Sequence, residues 1–301
     1  MKAVNFFKAL ADDTRLRLVH LSLHFELNVN EIVSILKMGQ SRISRHLKIL
    51  TDHHLVTHRR DGLWTFYSAA SDGDGYDFIR SIKYLFETNP VFSEDLAQAE
   101  QVIEKRAQDQ VRFFDSIAED WAKLKKEIIG DVDLNALILG AVPDSDSIVD
   151  MGCGTGDLLA HLVPKARHII GVDKSPRMLE EAKRRLAGFN SSLDLRLGEL
   201  EHLPLREGEA DAAIINMVLH HVPEPLKAFI EAARVLKKGS TFIIVDLLCH
   251  QLERMRERYG DRWLGFPLDD IEKWLTKSGF KPGEVNYFDL KKGLKGFLVH
   301  A

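Results

Sequence analysis

Hydrophobic positions in the first fifty residues recur at the spacing of an α-helix rather than of a strand. They predict a helix over residues 5–23 with a break near Asp12, a second over residues 29–38 and a third over residues 40–50. The apolar stripes of these helices are formed by Leu16, Val19, Leu23, Ile32, Ile35, Leu36, Ile43, Leu47 and Leu50.

The third helix has a basic polar face, and a glycine at position 39 separates it from the helix before it. Helix, glycine turn and basic-faced helix form a helix-turn-helix pattern. Residues 55–67 then have the alternation of a hairpin around Asp61-Gly62, which predicts a wing. A DNA-contacting surface is therefore predicted on this helix and the wing, at Gln40, Ser41, Arg42, Ser44, Arg45, Lys48, Arg59 and Arg60.

Beyond residue 147 the pattern changes to short apolar runs that alternate with helical segments. Such alternation is typical of an α/β domain with a doubly wound, Rossmann-like parallel sheet. Helices over residues 76–88 and 91–129 precede it, and Asn89-Pro90 separates them. Residues 252–268 interrupt the alternation, and a lid, a dimer contact and an interdomain contact all stay open for them. Strands are predicted near residues 147–151, 168–173, 193–197, 211–217, 241–247, 284–290 and 295–300.

A glycine-rich turn follows the first of these strands. Gly152, Gly154 and Gly156 alternate directly after Asp150 and lead into a helical pattern. Glycines let a ligand approach the backbone, and the start of a helix offers free N–H groups to ligand oxygens. The second strand ends in Asp173, 17 residues after the last glycine, close to the ~20-residue offset of a ribose-binding carboxylate. This spacing predicts a nucleoside-containing ligand.

The glycine turn and the segments after it resemble class I S-adenosylmethionine-dependent methyltransferases of the ubiquinone-methylase type. Matching segments read GVDKSPRML at residues 171–179, GELEHLPL at 198–205, DAAIINMVLHHV at 211–222 and RVLKKGS at 234–240. Residues 113–121 resemble the family's cap, in which an aromatic side chain covers the methionine end of the ligand. The resemblance implies S-adenosylhomocysteine or S-adenosylmethionine as the ligand, bound by Trp121, Asp150, Gly152, Cys153, Gly154, Gly156, Asp173, Lys174, Met178, Glu199, Leu200, Asn216, Met217 and His221.

The N-terminal third resembles the ArsR/SmtB repressor family, through FKALADDTRLR at residues 7–17, the third helix and the wing. Asp13 stands where that family often has proline. The resemblance implies double-stranded operator DNA as a partner and a homodimer formed through the helix at residues 76–88. The cysteines of the family's best-known metal site have no counterpart in residues 25–31, and no metal is expected.

Composition agrees with a DNA-binding head on a separate body. Residues 1–70 contain ten basic and six acidic residues, so this part carries +4 while the whole 301-residue chain carries −4. We expect a winged-helix and dimerisation domain over residues 1–88, a helical linker over 89–112 and the ligand-binding domain over 113–301. With two cysteines, no apolar run of ~20 residues and no leader pattern, we expect a cytoplasmic protein without membrane contact.

Two functions remain open at this point. The chain is either a repressor that senses its ligand through a methyltransferase-like domain, which whole-chain resemblance favours, or a working methyltransferase with a DNA-binding head. Methyl transfer requires alignment more than a general base, so the sequence assigns no catalytic residue. His220, His221, His250 and Cys249 are the candidates, but capping or packing is the preferred explanation for each histidine and an inert core position for the cysteine.

Overall fold

A computed structural model describes residues 2–61, 63–86, 89–188 and 192–301. It divides into two compact units, residues 1–109 and 110–301. The helices are α1 Lys2–Leu10, α2 Asp13–His24, α3 Val29–Leu36, α4 Gln40–Asp52, α5 Gly73–Ile82, α6 Pro90–Ile117, α7 Trp121–Ile129, α8 Leu134–Ala141, α9 Asp157–Leu162, α10 Pro176–Leu186, α11 Pro225–Val235, α12 Arg254–Tyr259 and α13 Leu268–Ser278. The strands are β1 Leu27–Asn28, β2 Val56–Asp61, β3 Trp64–Ala69, β4 Ser145–Met151, β5 Ala166–Asp173, β6 Ser192–Leu197, β7 Ala210–Asn216, β8 Leu236–Leu247, β9 Val285–Asp289 and β10 Lys295–His300.

The first unit has the predicted winged-helix elements. Asp12 caps α2 by accepting a hydrogen bond from the Arg15 N–H, which explains the break after α1. A capping box between Asn28 and Glu31 starts α3. Strands β2 and β3 form the wing hairpin, and the two-residue strand β1 adds to β3, a pairing that the sequence did not indicate. Gly62, at the predicted turn, lies outside the described residues.

The first part of α6 belongs to the core of this unit. Phe92 and Ala99 are buried there, although the sequence places them in a linker. Asp95, 3% exposed, accepts two hydrogen bonds of 2.6 and 2.7 Å from the Arg17 guanidinium on α2. A bidentate pair with one buried partner fixes this part of α6 against α2.

Two helix predictions need correction. The helix expected over 91–129 is divided, because a turn at residues 118–120 separates α6 from α7. This turn brings the Trp121 ring to a centroid distance of 5.7 Å from Phe114, two aromatic side chains that a straight helix would hold two turns apart. The helix expected over 76–88 is α5 followed by a 3-10 turn at Lys83–Phe86, and positions 87 and 88 lie outside the described residues.

The second unit contains a seven-stranded sheet in the order β6-β5-β4-β7-β8-β10-β9. Strands β4 to β8 are parallel, as predicted. Strands β9 and β10 pair antiparallel, which corrects the wholly parallel prediction. Their short connection explains this, because a parallel pair needs a crossover of a dozen or more residues. Neighbouring Ile148 and Val149 point into the two hydrophobic clusters on opposite faces of the sheet.

None of the helices in the described part of the chain combines the length and apolar character that a bilayer-spanning segment needs.

Candidate functional site

The glycine turn between β4 and α9 is held against the end of β5. The N–H groups of Gly152 and Cys153 both donate to the Val172 carbonyl, at 2.7 and 2.9 Å. Gly152 has a φ of +85°, and a Cβ there would lie 2.6 Å from a Val218 methyl group. Gly154 also has a positive φ, +52°, but its nearest neighbour would be Trp121 Nε1 at 3.5 Å. Close packing therefore requires the first glycine, whereas the second leaves backbone accessible below the tryptophan.

Asp173, at the end of β5, connects this turn to the next helix. Its Oδ2 accepts a hydrogen bond of 2.8 Å from the Gly154 N–H, and its Oδ1 accepts one of 2.9 Å from Ser175. Burial raises the pKa of the carboxyl, while the two backbone donors and Lys174 oppose that shift. Each oxygen keeps a further lone pair, so the side chain can still accept hydroxyl groups of a ligand.

A cavity of about 260 Å³ lies at this end of the sheet. Binding pockets of α/β folds form outside the carboxyl ends of the strands, which is where the sequence predicted one. Twelve of the fourteen predicted cofactor-binding residues line it: Trp121, Asp150, Gly152, Cys153, Gly154, Asp173, Lys174, Met178, Leu200, Asn216, Met217 and His221.

The other two predicted residues lie outside the lining. Gly156 packs against α10, where a Cβ would come within 3.1 Å of Ala182, so its smallness serves helix packing. Glu199 is exposed in a short bridge with His202. Glu201, two positions later, lines the cavity instead, and the tight turn between them explains the offset. Lining residues outside the predicted set include Lys125, Leu134, Asn135, Asp157 and Val222, as well as Phe114, which the sequence placed in the cap segment but not in the site.

Two oxygens of the lining remain available to a ligand. Within the described ranges, Asp150 Oδ1 and Asn216 Oδ1 are buried and accept no hydrogen bond. An unsatisfied buried acceptor costs about 1–3 kcal/mol, so a ligand donor there is favourable. Burial raises the pKa of Asp150 to about 7, although Lys125 opposes the shift. An ammonium or hydroxyl group fits this pair, because both oxygens are acceptors.

The end of α6 forms one edge of the cavity. Gln110 accepts a hydrogen bond of 2.5 Å from Lys174 Nζ and donates one of 2.7 Å to the His221 carbonyl. Further along, Asp115 accepts a 2.5 Å hydrogen bond from the Ser175 hydroxyl. The Phe114 ring contacts His221 at a centroid distance of 4.8 Å. This helix end is thus tied to the loops after β5 and β7.

Residues 250–266 pack against the loop after β7 and do not themselves line the cavity. The N–H groups of Arg262 and Trp263 donate to the His220 carbonyl at 3.0 and 2.9 Å, and the Trp263 indole donates to the Val222 carbonyl at 2.8 Å. On α12, Tyr259 donates a 2.9 Å hydrogen bond to Glu127 of α7. This segment therefore covers the loop that carries the two histidines.

The four candidate catalytic residues are placed differently. His221 lines the cavity, whereas His220 is buried behind it and donates from Nδ1 to Asp246 at 2.6 Å. Cys249 is exposed, and neither it nor His250 belongs to the lining. Only His221 is thus in a position to touch a ligand in this cavity.

The predicted DNA-facing residues of α4 are all exposed, opposite the fully buried Ile43, Leu47 and Leu50. Lys48 forms an i, i+4 ion pair of 2.9 Å with Asp52. Arg60 is exposed on the wing, but Arg59 is bound to Glu26 through two hydrogen bonds of 3.1 and 2.8 Å. It also lies 4.7 Å above the Phe66 ring. The Arg59 charge is therefore already offset, which argues against a main role in phosphate contact.

Comparisons with known proteins agree with this architecture. Residues 12–58 match the family "Bacterial regulatory protein, arsR family", and residues 149–244 match "Methyltransferase domain". A 2-phytyl-1,4-naphtoquinone methyltransferase from Synechococcus elongatus is 32% identical over 191 residues, covering 53% of this chain and 80% of that protein. An arsenite methyltransferase from Halobacterium salinarum is 31% identical over 118 residues, 38% of this chain and 30% of its own.

Among solved structures, a methyltransferase in complex with the Trm112 activator of Haloferax volcanii superposes with a TM-score of 0.52 at 18% identity. The superposition covers 62% of this chain and 96% of that one, and it supports the fold alone. The chain spans less than half the length of two curated relatives that it matches, 41% of one and 30% of the other.

Fold and site together define a protein of the class I methyltransferase type with a winged helix-turn-helix head. The chain belongs to the class I methyltransferase family, and its head is an ArsR-family helix-turn-helix domain.

Proposed function

We propose that this protein is a transcriptional repressor that binds operator DNA as a dimer and senses S-adenosylhomocysteine or S-adenosylmethionine through its methyltransferase-like domain. Helix α6 carries the proposal. Its first turns contribute Phe92 and Ala99 to the core of the first unit, and its last turns contribute Phe114 to the cavity lining of the second. A ligand that orders the last turns of α6 therefore acts on a helix whose first turns belong to the DNA-binding unit.

The polar groups of the cavity suit an adenosyl ligand. Asp173 has lone pairs for the two ribose hydroxyls, and the unpartnered oxygens of Asp150 and Asn216, as far as the described residues go, suit the ammonium of the methionine part. Phe114 and Trp121 line the same cavity, and we assign their rings to the sulfur of the ligand. The aromatic rings favour the positively charged sulfonium of S-adenosylmethionine by cation–π contact. Their bulk favours S-adenosylhomocysteine, whose thioether lacks the methyl group.

The head has the surface that DNA binding requires. Arg42 and Arg45 are exposed on α4, and guanidinium groups in the major groove read guanine. Dimerisation through α5 and the following turn is supported by exposed apolar side chains in that turn, where Tyr84 is 64% and Leu85 54% exposed. On α1, Phe7 is 63% exposed and packs edge-on against Phe78 of α5. Exposed apolar side chains of this kind are typical of an interaction surface, and a dimer sets the spacing of two half-sites.

The test begins with an operator selected from a random-sequence DNA pool by the full-length protein. Mobility shifts are then measured with S-adenosylhomocysteine, with S-adenosylmethionine and without ligand. We expect S-adenosylhomocysteine to weaken operator binding more than S-adenosylmethionine does, and operator DNA to weaken ligand binding by the same factor, since binding linkage is reciprocal. Operator affinity that changes less than twofold with either compound would contradict the sensor.

An active methyltransferase is the second candidate, and the names of the relatives favour it. The relatives above are methyltransferases that act on a naphthoquinone and on arsenite. For this chain the activity would use S-adenosylmethionine as the methyl donor and an acceptor held beside His221. Release of S-adenosylhomocysteine from S-adenosylmethionine, measured over a panel of quinones, arsenite and small nucleophiles, decides between the two. Acceptor-dependent turnover without a ligand effect on DNA would establish the enzyme.

A further inference from the structure

Three ionisable side chains meet behind the cavity wall. His220, His221 and Asp261 are 4%, 3% and 4% exposed, and one potential ligand atom from each lies within 4.8 Å of the other two. Asp261 is forty residues away from His221 along the chain and reaches it because the segment after α12 covers the histidine loop.

Hydrogen bonds fix the orientation of both imidazoles. His220 Nδ1 donates to Asp246 Oδ1 at 2.6 Å, and Asp246 is itself held by the N–H groups of Leu219 and Leu247. His221 Nδ1 is 3.1 Å from the Gly260 carbonyl, which can only accept, so this nitrogen carries the proton. In a neutral imidazole with a protonated Nδ1, Nε2 presents a lone pair. Histidines that bind metals are commonly oriented by such a bond from the other nitrogen.

The facing atoms have little else to satisfy them. Over the ranges that the structure describes, His221 Nε2 and both carboxylate oxygens of Asp261 are buried without a hydrogen bond. Asp261 Oδ1 is 3.8 Å from His220 Nε2, too long for a hydrogen bond. Arg256 contributes positive charge near Asp261. Two imidazoles and a carboxylate without a hydrogen bond thus share one buried space in the described part of the chain, and a single cation would satisfy them together.

We propose that His220, His221 and Asp261 bind a divalent first-row transition-metal ion, with Zn²⁺ as the best match. Two imidazoles and one carboxylate suit such ions, whereas Mg²⁺ and Ca²⁺ prefer oxygen ligands throughout. Zn–N and Zn–O distances of about 2.0–2.2 Å put neighbouring ligand atoms roughly 3.3–3.6 Å apart. Because the present spacing is up to 4.8 Å, metal binding requires the ligand atoms to approach one another by up to about 1.2–1.5 Å.

Three protein ligands leave a fourth position for water or for a group of the bound molecule. His221 is the ligand that also lines the cavity, so the ion sits at its wall. The sequence analysis expected no metal and did not bring these three residues together, because no ligand spacing along the chain indicates the cluster.

The test uses the full-length protein, freed of metal with a chelator, and needs neither DNA nor an adenosyl ligand. It therefore fails or succeeds independently of the proposed function. Added Co²⁺ should give the visible absorption of a four-coordinate site, and Zn²⁺ should displace it at one ion per chain. Competition with a chromophoric chelator should give a Zn²⁺ Kd below about 1 μM.

Two conservative variants assign the ligands. Asp261→Asn and His221→Gln should each weaken Zn²⁺ binding at least tenfold, while His300→Gln, an exposed histidine on β10, should leave it unchanged. Circular dichroism checks that each variant is folded. If Co²⁺ gives no such absorption with the unmodified protein, or if Zn²⁺ binds the unmodified protein and Asp261→Asn equally, the proposal is overturned. The cluster is then an imidazolium of His220 between the carboxylates of Asp246 and Asp261.

Discussion

Lys174 donates a hydrogen bond of 2.5 Å to the side-chain oxygen of Gln110, sixty-four residues earlier in the chain. The amide of the same Gln110 donates to the His221 carbonyl at 2.7 Å. One residue of α6 therefore joins the end of β5 to the loop after β7, and both loops border the cavity. A ligand that repositions Lys174 or His221 changes the hydrogen bonds of α6 directly.

Replacement of Gln110 tests this connection. Gln110→Ala should reduce the effect of S-adenosylhomocysteine on operator affinity at least threefold, because the ligand no longer acts on α6 through this side chain. Ligand affinity itself should change less than the coupling does. Calorimetry and mobility shifts measure the two quantities separately. Gln108→Ala, an exposed residue on the same helix, is the matched control and should retain the full response. If S-adenosylhomocysteine changes the operator affinity of Gln110→Ala as much as that of the unmodified protein, other residues couple ligand binding to DNA binding.

The carboxylate of Asp173 is expected to determine ligand affinity. It holds the glycine turn through the Gly154 N–H and offers its other lone pairs to the ligand. Loss of charged hydrogen bonds costs about 1.5–3 kcal/mol, so Asp173→Ala should weaken S-adenosylhomocysteine binding at least tenfold in calorimetry. Asp194→Ala, an exposed carboxylate on the neighbouring strand β6, provides the control. Equal affinity of the two variants would remove Asp173 from the site.

Asp150 should make folding stability depend on pH. In the folded protein its pKa is raised to about 7, whereas the unfolded chain ionises near 3.8. The folded state therefore binds more protons between these values, and this carboxyl lowers stability as pH rises from about 4 to 7. Above about pH 7 this loss of folding stability no longer changes with pH.

Asp150→Asn removes this ionisation while keeping the shape of the side chain. In urea unfolding at pH 8 without ligand, the variant should be more stable than the unmodified protein by up to roughly 4 kcal/mol. The advantage should shrink steadily as the pH is lowered to 5. Asp146→Asn, at an exposed position of the same strand, should not reproduce this profile. A difference that is independent of pH would contradict the raised pKa.

The features that the sequence predicted depend on residues close together in the chain, whereas the features that it did not predict depend on residues far apart. The strand, the glycine turn and the position of Asp173 at the end of the next strand were predicted correctly, because a short apolar run and glycine backbone preference act over a few residues. The meeting of Asp261 with His220 was not, since it depends on how a segment forty residues later folds back. Gln110 was likewise missed, because nothing around it in the sequence distinguishes it from other polar positions of a long helix.

Two glycines of the turn should respond differently to alanine. Gly154→Ala introduces a Cβ at φ +52° that meets only Trp121, at an ordinary contact distance of 3.5 Å, so the cost is the left-handed conformation, roughly 1–2 kcal/mol. Gly152→Ala adds an overlap with the Val218 side chain and should cost roughly 2–5 kcal/mol in total. Urea unfolding of both variants gives the comparison. Equal losses would mean that the Val218 side chain moves aside freely.

The wing and α4 should contribute to DNA binding in distinguishable ways. Arg45 is exposed on the polar face of α4, so Arg45→Ala should lower operator affinity and relax the sequence preference at one position, by about 1–3 kcal/mol.

Arg59 is held by Glu26 and stacked on Phe66, and its charge is largely offset before any DNA arrives. Arg59→Ala should therefore leave the dependence of log K on log salt nearly unchanged, whereas loss of a phosphate-contacting arginine reduces the slope by about one unit. Arg167→Ala, an exposed arginine on β5, controls for the general loss of one charge. Filter binding at several salt concentrations measures slope and preference together. A slope reduced by one unit in Arg59→Ala, with no change in Arg45→Ala, would show that the wing and not α4 provides the DNA contact.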